Sequence, residues 1–283
     1  HKQGLGCAIR NVEKRLSSSS ASARDLPRSV AQLTELIGRV PLRDADRTRT
    51  AILAAATEEF SAHGLSGARV DRIATRAKSN KRMLYYYFGG KEALYLAVLE
   101  GAYERIRTAE RDLDLEHLPP EQGMCELVAF TWRYFIAHPE FLSLLNTENL
   151  HRARHLERST KVRALHSPLV GMLGDLLARG ARAGVFRTDV DPVQLYVSIA
   201  ALGYFYLSNA HTLSTIFGRD LLAPVANAKG LSYVTTLILD ALRPPATAPG
   251  GHGAGIINQW VSNDRAARAP RSSGKHVPKE VSR

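Results

Sequence analysis

Residues 47–91 read RTRTAILAAATEEFSAHGLSGARVDRIATRAKSNKRMLYYYFGGK, and this stretch decides the fold. Its first part places Ile52, Ala56 and Phe60 at i, i+4 and i+8, with Leu53 alongside, which is the apolar stripe of an amphipathic helix. Asp44 or Asp46 can cap the start of that helix, and Gly64 is expected to end it in a left-handed conformation. A second helix, about 70–77, is expected to bury Val70, Ile73 and Ala77. Lys78-Ser79-Asn80 then reads as a tight turn, with Asn80 the N-cap of a third helix from Lys81 to Tyr87. Gly89-Gly90 stop it, and Lys91 opens a longer fourth helix. Two short helices about a tight turn, braced by a preceding one, are a helix-turn-helix unit.

Charge gives this unit its purpose. Between Arg69 and Lys91 there are seven Lys/Arg and one acid, Asp71, a net +6. The cations alternate with the core positions, so one face is buried and the other is offered to phosphates and base edges. Across the chain the net charge of +11 divides into +5 for residues 1–43, +3 for 44–95, −2 for 96–242 and +5 for 243–283. The large middle region is therefore unsuited to lying along DNA, where phosphate neutralisation dominates affinity.

The same residues carry a family resemblance. The pattern T-x-x-I-L-x-A-A-x-x-x-F-x-x-x-G, then V-x-x-I-A-x-x-A, then L-Y-x-Y-F-x-x-K-E-x-L resembles the tetracycline-repressor (TetR) family of bacterial regulators. Here it falls on Thr48/Arg49 to Phe60 and Gly64, on Val70 to Ala77, and on Leu84, Tyr85, Tyr87, Phe88, Lys91, Glu92 and Leu94, about 50 of 283 residues. Two departures stand out: the turn is Lys78-Ser79-Asn80 where the family usually has Gly-Val-Ser/Thr, and Arg82 sits where Gly or Pro is common. The RMLYYYFG run looks like a subgroup whose best-known relatives sense small metabolites such as pyrimidines.

Residues 96–242 read as helical throughout, so the chain is all-α. The fourth helix continues to about Leu113, and a fifth starts at Pro119-Pro120 and breaks at His138-Pro139. A sixth runs through Leu150, a seventh spans about 159–183, an eighth starts at Asp191-Pro192 and a ninth covers about 221–242. Pro192 to Gly218 contains no Asp, Glu, Lys or Arg, which by length alone permits a membrane span. Gln194, Ser198, Asn209, His211 and neighbouring hydroxyls dilute it, so a helix buried on several sides is the expectation, and no membrane.

The four expected regions are a basic, disordered extension (1–43), the helix-turn-helix domain (44–95), a helical effector-binding and dimerisation domain (96–242) and a basic, disordered tail (243–283). The tails suit either solvated linkers or nonspecific DNA tethers. Cys7 and Cys125 form neither a disulfide framework nor a metal signature and suit a reducing cytoplasm. His151 and His155 are an i, i+4 pair on what reads as a solvated helix face, so no metal and no cofactor is expected.

Roles follow by position. Lys81, Arg82, Met83 and Tyr86 lie at the start and outer face of the third helix, where Lys and Arg suit guanine and Met83 suits a thymine methyl. Tyr85 and Tyr87 suit hydroxyl contacts to phosphate, with packing the alternative, above all for Tyr87. Thr48, Arg49, Arg69, Arg72 and Lys91 are further phosphate candidates. The resemblance implies an effector site within helices four to eight, for which Trp132, Phe135, Phe141, Tyr204, Phe205 and Tyr206 are candidate walls. Glu148, Asn149, His151 and Asn209 are its candidate polar groups, and residues of all these kinds, walls included, are more often plain core or surface. It also implies a homodimer through the last two long helices, contributing Leu195, Val197, Ile199, Leu202, Leu231, Val234, Leu237 and Leu239.

Three functions fit: a ligand-released homodimeric repressor that reads a palindromic double-stranded operator, an enzyme with no recognisable motif, and a constitutive DNA binder without effector. GxSxG, P-loop, HExxH and CxxC motifs are all missing, which argues against the enzyme.

Overall fold

The computed structural model describes residues 42–245, so the expectations for both tails and for Cys7 lie outside the described residues. The described residues form ten α-helices and no strand. They are α1 (Leu42–Gly67), α2 (Val70–Arg76), α3 (Lys81–Phe88), α4 (Lys91–Arg111), α5 (Pro120–Ala137) and α6 (Pro139–Leu150). After a 3₁₀ turn (Leu156–Arg158) come α7 (Thr160–Arg182), α8 (Pro192–Ser208), α9 (Ala210–Phe217) and α10 (Pro224–Leu242).

Their boundaries come from local chemistry. Gly64 breaks α1 with φ +63°, but its ψ of 178° is extended rather than left-handed helical, a region open almost only to glycine. Asn80, Ser159 and Asp191 cap α3, α7 and α8 by accepting from the backbone N–H three residues on. Pro120, Pro139, Pro192 and Pro224 occupy first turns, where a missing N–H costs nothing. The charge-free stretch does not run on as one helix: α8 stops at Ser208, and the short α9 follows beyond Asn209. No helix of the described residues is long and apolar enough to cross a membrane.

Two apolar cores result. The first joins the DNA-binding unit to its neighbours, with Ile52, Phe60, Ile73 and Leu84 packed with Leu94, Tyr95 and Ile106 of α4 and Phe141 and Leu144 of α6. Phe60 and Tyr95 meet edge to face at 5.1 Å. The second lies around α5, where Met124, Leu127 and Trp132 pack against Leu173 and Leu176 of α7, Leu195 and Ile199 of α8, and Val234, Ile238 and Leu242 of α10. Helix α4 crosses the expected boundary at 95/96 without a break and contacts α1, α3 and α7, so it belongs to both halves.

Candidate DNA interface and regulatory cavity

Helices α2 and α3 are short, and their angle depends on the turn between them. Ala77 N–H bonds back to Ile73 and Ser79 N–H to Ala74, while Lys78 takes φ +50°. Lys78 thus adopts the left-handed conformation for which glycine is the usual choice, and Asn80 restarts the chain by accepting from Met83 N–H at 2.9 Å. Leu84 is fully buried and fixes the inner face of α3. The outer face is therefore set: Lys81, Arg82 and Tyr85 are exposed, and Tyr86 is 79 % exposed. The Tyr86 ring meets Tyr87 edge to face at 5.2 Å and is otherwise open to solvent.

The remaining candidates divide. Lys81 Nζ pairs with Asp71 at 3.0 Å, and that hydrogen bond and charge raise its pKa. Arg49, exposed on α1, lies 5.4 Å over the Phe88 ring, and Lys91 Nζ donates to Ser66 O at 3.3 Å. Arg69 is exposed, and Thr48 is half-buried on α1 beside Arg47 and Lys78. Met83 and Tyr87 are half-buried against the first core, so packing takes up most of both. Arg72 is a correction. Its Nε donates to Glu59 Oε1 at 2.7 Å, Nη2 reaches the same oxygen at 2.6 Å, and Nη2 also donates to Gly67 O at 3.1 Å. Glu59 is fully buried and also accepts from Arg69 N–H at 2.9 Å. Burial raises the Glu59 carboxyl, but the Arg72 and Arg69 hydrogen bonds with the Arg72 charge outweigh it and hold the group below the ordinary carboxylate range. Arg72 thus braces α2 on α1 instead of standing free for phosphate.

The expected effector residues do not meet in one cavity. Trp132 is in the second core, its indole N–H donating to Asn227 Oδ1 at 2.8 Å, and Tyr206 packs on its ring. Phe135 and Phe141 are in the first core. Glu148 is buried and engaged within the fold: Oε1 accepts from the N–H groups of His155 and Leu156, and Oε2 contacts His155 Nδ1 at 2.8 Å. Asn149 and Phe205 are exposed, His151 Nδ1 bonds Thr147 O, Tyr204 bonds Asn146, and the Asn209 amide donates to Phe205 O. His155 is buried too, so the His151/His155 pair is no solvated face. No group of metal-binding side chains is assembled among the described residues.

A cavity of about 530 Å³ lies instead between α4 and α7, lined by Arg107, Glu110, Arg111, Lys161, Leu165 and Met172 among others. None of these was a site candidate from sequence. The available signal was phase: Arg107 and Glu110 continue the buried stripe of Val98, Leu99, Ala102 and Ile106, where charge is costly.

The expected dimer residues also need correction. Leu195, Ile199 and Val234 are buried in the subunit's own second core, against which Leu202, Leu231 and Leu239 pack half-buried. The apolar side chains left exposed on these helices are Val193, Val197 and Phe205 on α8 and Val225, Tyr233 and Leu237 on α10. Of the expected set, Val197 and Leu237 are exposed on the subunit.

A helical domain joined through α4 to a helix-turn-helix with a basic, tyrosine-bearing outer face is a DNA-binding regulator. Comparison with known proteins agrees. The family described as "Bacterial regulatory proteins, tetR family" matches residues 52–98, and "Tetracyclin repressor-like, C-terminal domain" matches residues 120–238. The Pseudomonas putida HTH-type transcriptional repressor NicS is 46% identical over 204 residues, 72% of this chain and 96% of that protein. The Escherichia coli HTH-type transcriptional regulator RutR is 28% identical over 204 residues, 71% and 93% of the two chains. Among solved structures, Streptomyces coelicolor SCO4942 superposes with a TM-score of 0.53 at 28% identity, covering 70% of this chain and 99% of its own. The chain belongs to the tetR family of bacterial regulatory proteins, and it is a transcriptional regulator and not an enzyme.

Proposed function

We propose that the protein is a cytoplasmic homodimeric repressor that reads a palindromic operator with α3 and is released from it by a small molecule. The carrying observation is the outer face of α3, where Lys81, Arg82, Tyr85 and Tyr86 stand exposed on a helix pinned by buried Leu84. Arg82 reads a base edge, and Arg49, Arg69 and Lys91 hold phosphates. The naming of NicS as a repressor supports the sign of regulation.

The dimer follows from surface chemistry. Val193 and Val197 on α8 and Tyr233 and Leu237 on α10 are i, i+4 pairs of exposed apolar side chains, and Phe205 is a further exposed ring on α8. Left wet, such surface forgoes roughly 25 cal/mol per Å² of apolar area, and a second copy covers it symmetrically. Two recognition helices then meet successive major grooves, and a ligand that changes their spacing weakens both half-sites together.

Selection of duplexes from random DNA tests this reading. An inverted repeat with half-sites about one or two helical turns apart is expected. Recovery of no sequence preferred over random DNA would refute it.

A further inference from the structure

The last turns of α4 bury charge where its apolar face should continue. Arg107 and Glu110 are 3 % and 2 % exposed. Arg107 Nη1 lies 3.0 Å from Glu110 Oε2, off the hydrogen-bonding direction. Nη2 donates to the Tyr196 hydroxyl at 2.7 Å, and the guanidinium sits 5.1 Å over that ring. Arg107 Nε and Nη1 and both Glu110 oxygens are left without a hydrogen-bond partner. A buried ion pair offsets its desolvation only when its remaining donors and acceptors are satisfied as well. Both residues line the α4–α7 cavity, whose volume of about 530 Å³ suits a small molecule and whose other walls include Leu165, Pro168 and Met172.

We propose that this cavity is the effector site and that it takes a small monocarboxylate with a compact apolar body, held by the guanidinium N–H groups of Arg107 that no protein atom uses. This rests on the ligand-released reading above. Charge favours an anion once Glu110 is protonated: Arg107 and Arg111 line the cavity against Glu116, while Lys161, also lining it, is already paired with Glu104 at 2.9 Å. Burial, partly countered by Arg107, pushes the Glu110 carboxyl up to about 7, so near neutral pH it is in part protonated. Protonated Glu110 can donate its O–H to the ligand's second oxygen. The ligand's own charge raises the proton affinity of Glu110 further, so binding takes up a proton and weakens as pH rises. The groups facing the Arg107–Glu110 pair include Tyr103 and Arg111 on α4, Glu116 beyond it, Lys161 and His166 on α7, Tyr134 on α5 and Tyr196 on α8. His166 has its pKa lowered by burial and is neutral over the range in which Glu110 titrates upward from 7.

The site lies on the right helix for control. Arg107 is sixteen residues along α4 from Lys91, about 24 Å at 1.5 Å per residue, and α4 packs on both α1 and α3. A ligand that shifts the α4–α7 contact therefore moves the seat of the DNA-reading unit.

Titration calorimetry on the full chain at pH 6.5 and 8.0 tests the ligand class, with benzoate, cyclohexanecarboxylate and hexanoate each compared with its carboxamide. At least one carboxylate is expected to bind tenfold or more tighter than its carboxamide, and tighter at the lower pH. Glu110→Gln should keep the preference and remove its pH dependence. The neutral double variant Arg107→Gln/Glu110→Gln, with its fold checked by melting, should lose the preference. No preference for any carboxylate, a preference that survives the double variant, or binding abolished by Glu110→Gln would each overturn the assignment. A gel shift with the bound carboxylate reads operator release separately. Binding without release overturns the release reading and supports the site. Release by an uncharged molecule, with no carboxylate preference, overturns the site and leaves the release reading standing.

Discussion

Arg72→Ala is expected to destabilise the DNA-binding unit rather than strip it of a phosphate contact. Glu59 is fully buried on α1, and Arg72 supplies its closest cation at 2.6 Å and a second hydrogen bond at 2.7 Å. Without them the carboxylate keeps the Arg69 N–H, with the His63 ring at 3.9 Å and the Arg76 guanidinium at 4.0 Å. Breaking a fully buried pair costs roughly 3–5 kcal/mol. The Arg72 side chain is 44% exposed, so water screens the pair and about 2 kcal/mol is the reasonable figure. For a structured region of this size that lowers Tm by roughly 4–8 °C. Because the Glu59 pKa is depressed in the fold, its stabilisation is present above the unfolded carboxylate pKa and is lost as pH falls through the folded one. In Arg72→Ala that acid-side loss should therefore begin at higher pH. Urea melts from pH 4 to 7.5 on Arg72→Ala, Glu59→Gln and the double variant measure the coupling, and the double variant should recover part of the loss. If Arg72→Ala melts like the parent while its DNA affinity falls and its salt slope flattens by about one, Arg72 grips phosphate and the bracing argument is wrong.

Three more perturbations separate surface from core. Leu237→Glu should give helical monomers that no longer bind operator, whereas Val234→Glu, inside the second core, should cost at least about 3 kcal/mol of stability; sedimentation and melting distinguish the two. Lys78→Gly should relieve the positive φ and stabilise by about 0.5–1 kcal/mol net of the added chain entropy, read as a raised urea midpoint, and an unchanged or lowered midpoint would deny the strain. Glu110, with its folded pKa raised to about 7, contributes stability that is full below the unfolded carboxylate pKa and is lost as pH rises through 7. Glu110→Gln should then flatten the fall in Tm between pH 5 and 8, and a parallel fall in variant and parent would contradict this.

The helix-turn-helix was legible because its signals are local: a stripe at Ile52, Ala56 and Phe60, a cap at Asn80 and stops at Gly64 and Gly89. The pairing of Glu59 with Arg72, thirteen residues apart, was not, because nothing in linear order says that Glu59 faces inward. The same blindness affected Glu148, expected as a candidate pocket group, and His155, expected on a solvated face, which fold together into a buried cap. In α8 and α10 the apolar residues encircle the helix, so periodicity could not divide the subunit's own core (Leu195, Val234) from its outer stripe (Phe205, Tyr233). The Arg107–Glu110 cavity left a trace only as charge in the apolar phase of α4.

The central claim is that the exposed face of α3 reads base sequence, and titration of the parent and Arg82→Ala against a selected operator and a scrambled duplex, at several salt concentrations, tests it most directly. The account predicts that the parent binds operator at least about a thousandfold tighter than scrambled DNA. Arg82→Ala should give up roughly 1–3 kcal/mol of that preference, concentrated at one base position. Equal affinity of the parent for both duplexes, or an Arg82→Ala variant that weakens binding to both alike and keeps the full preference, would contradict it.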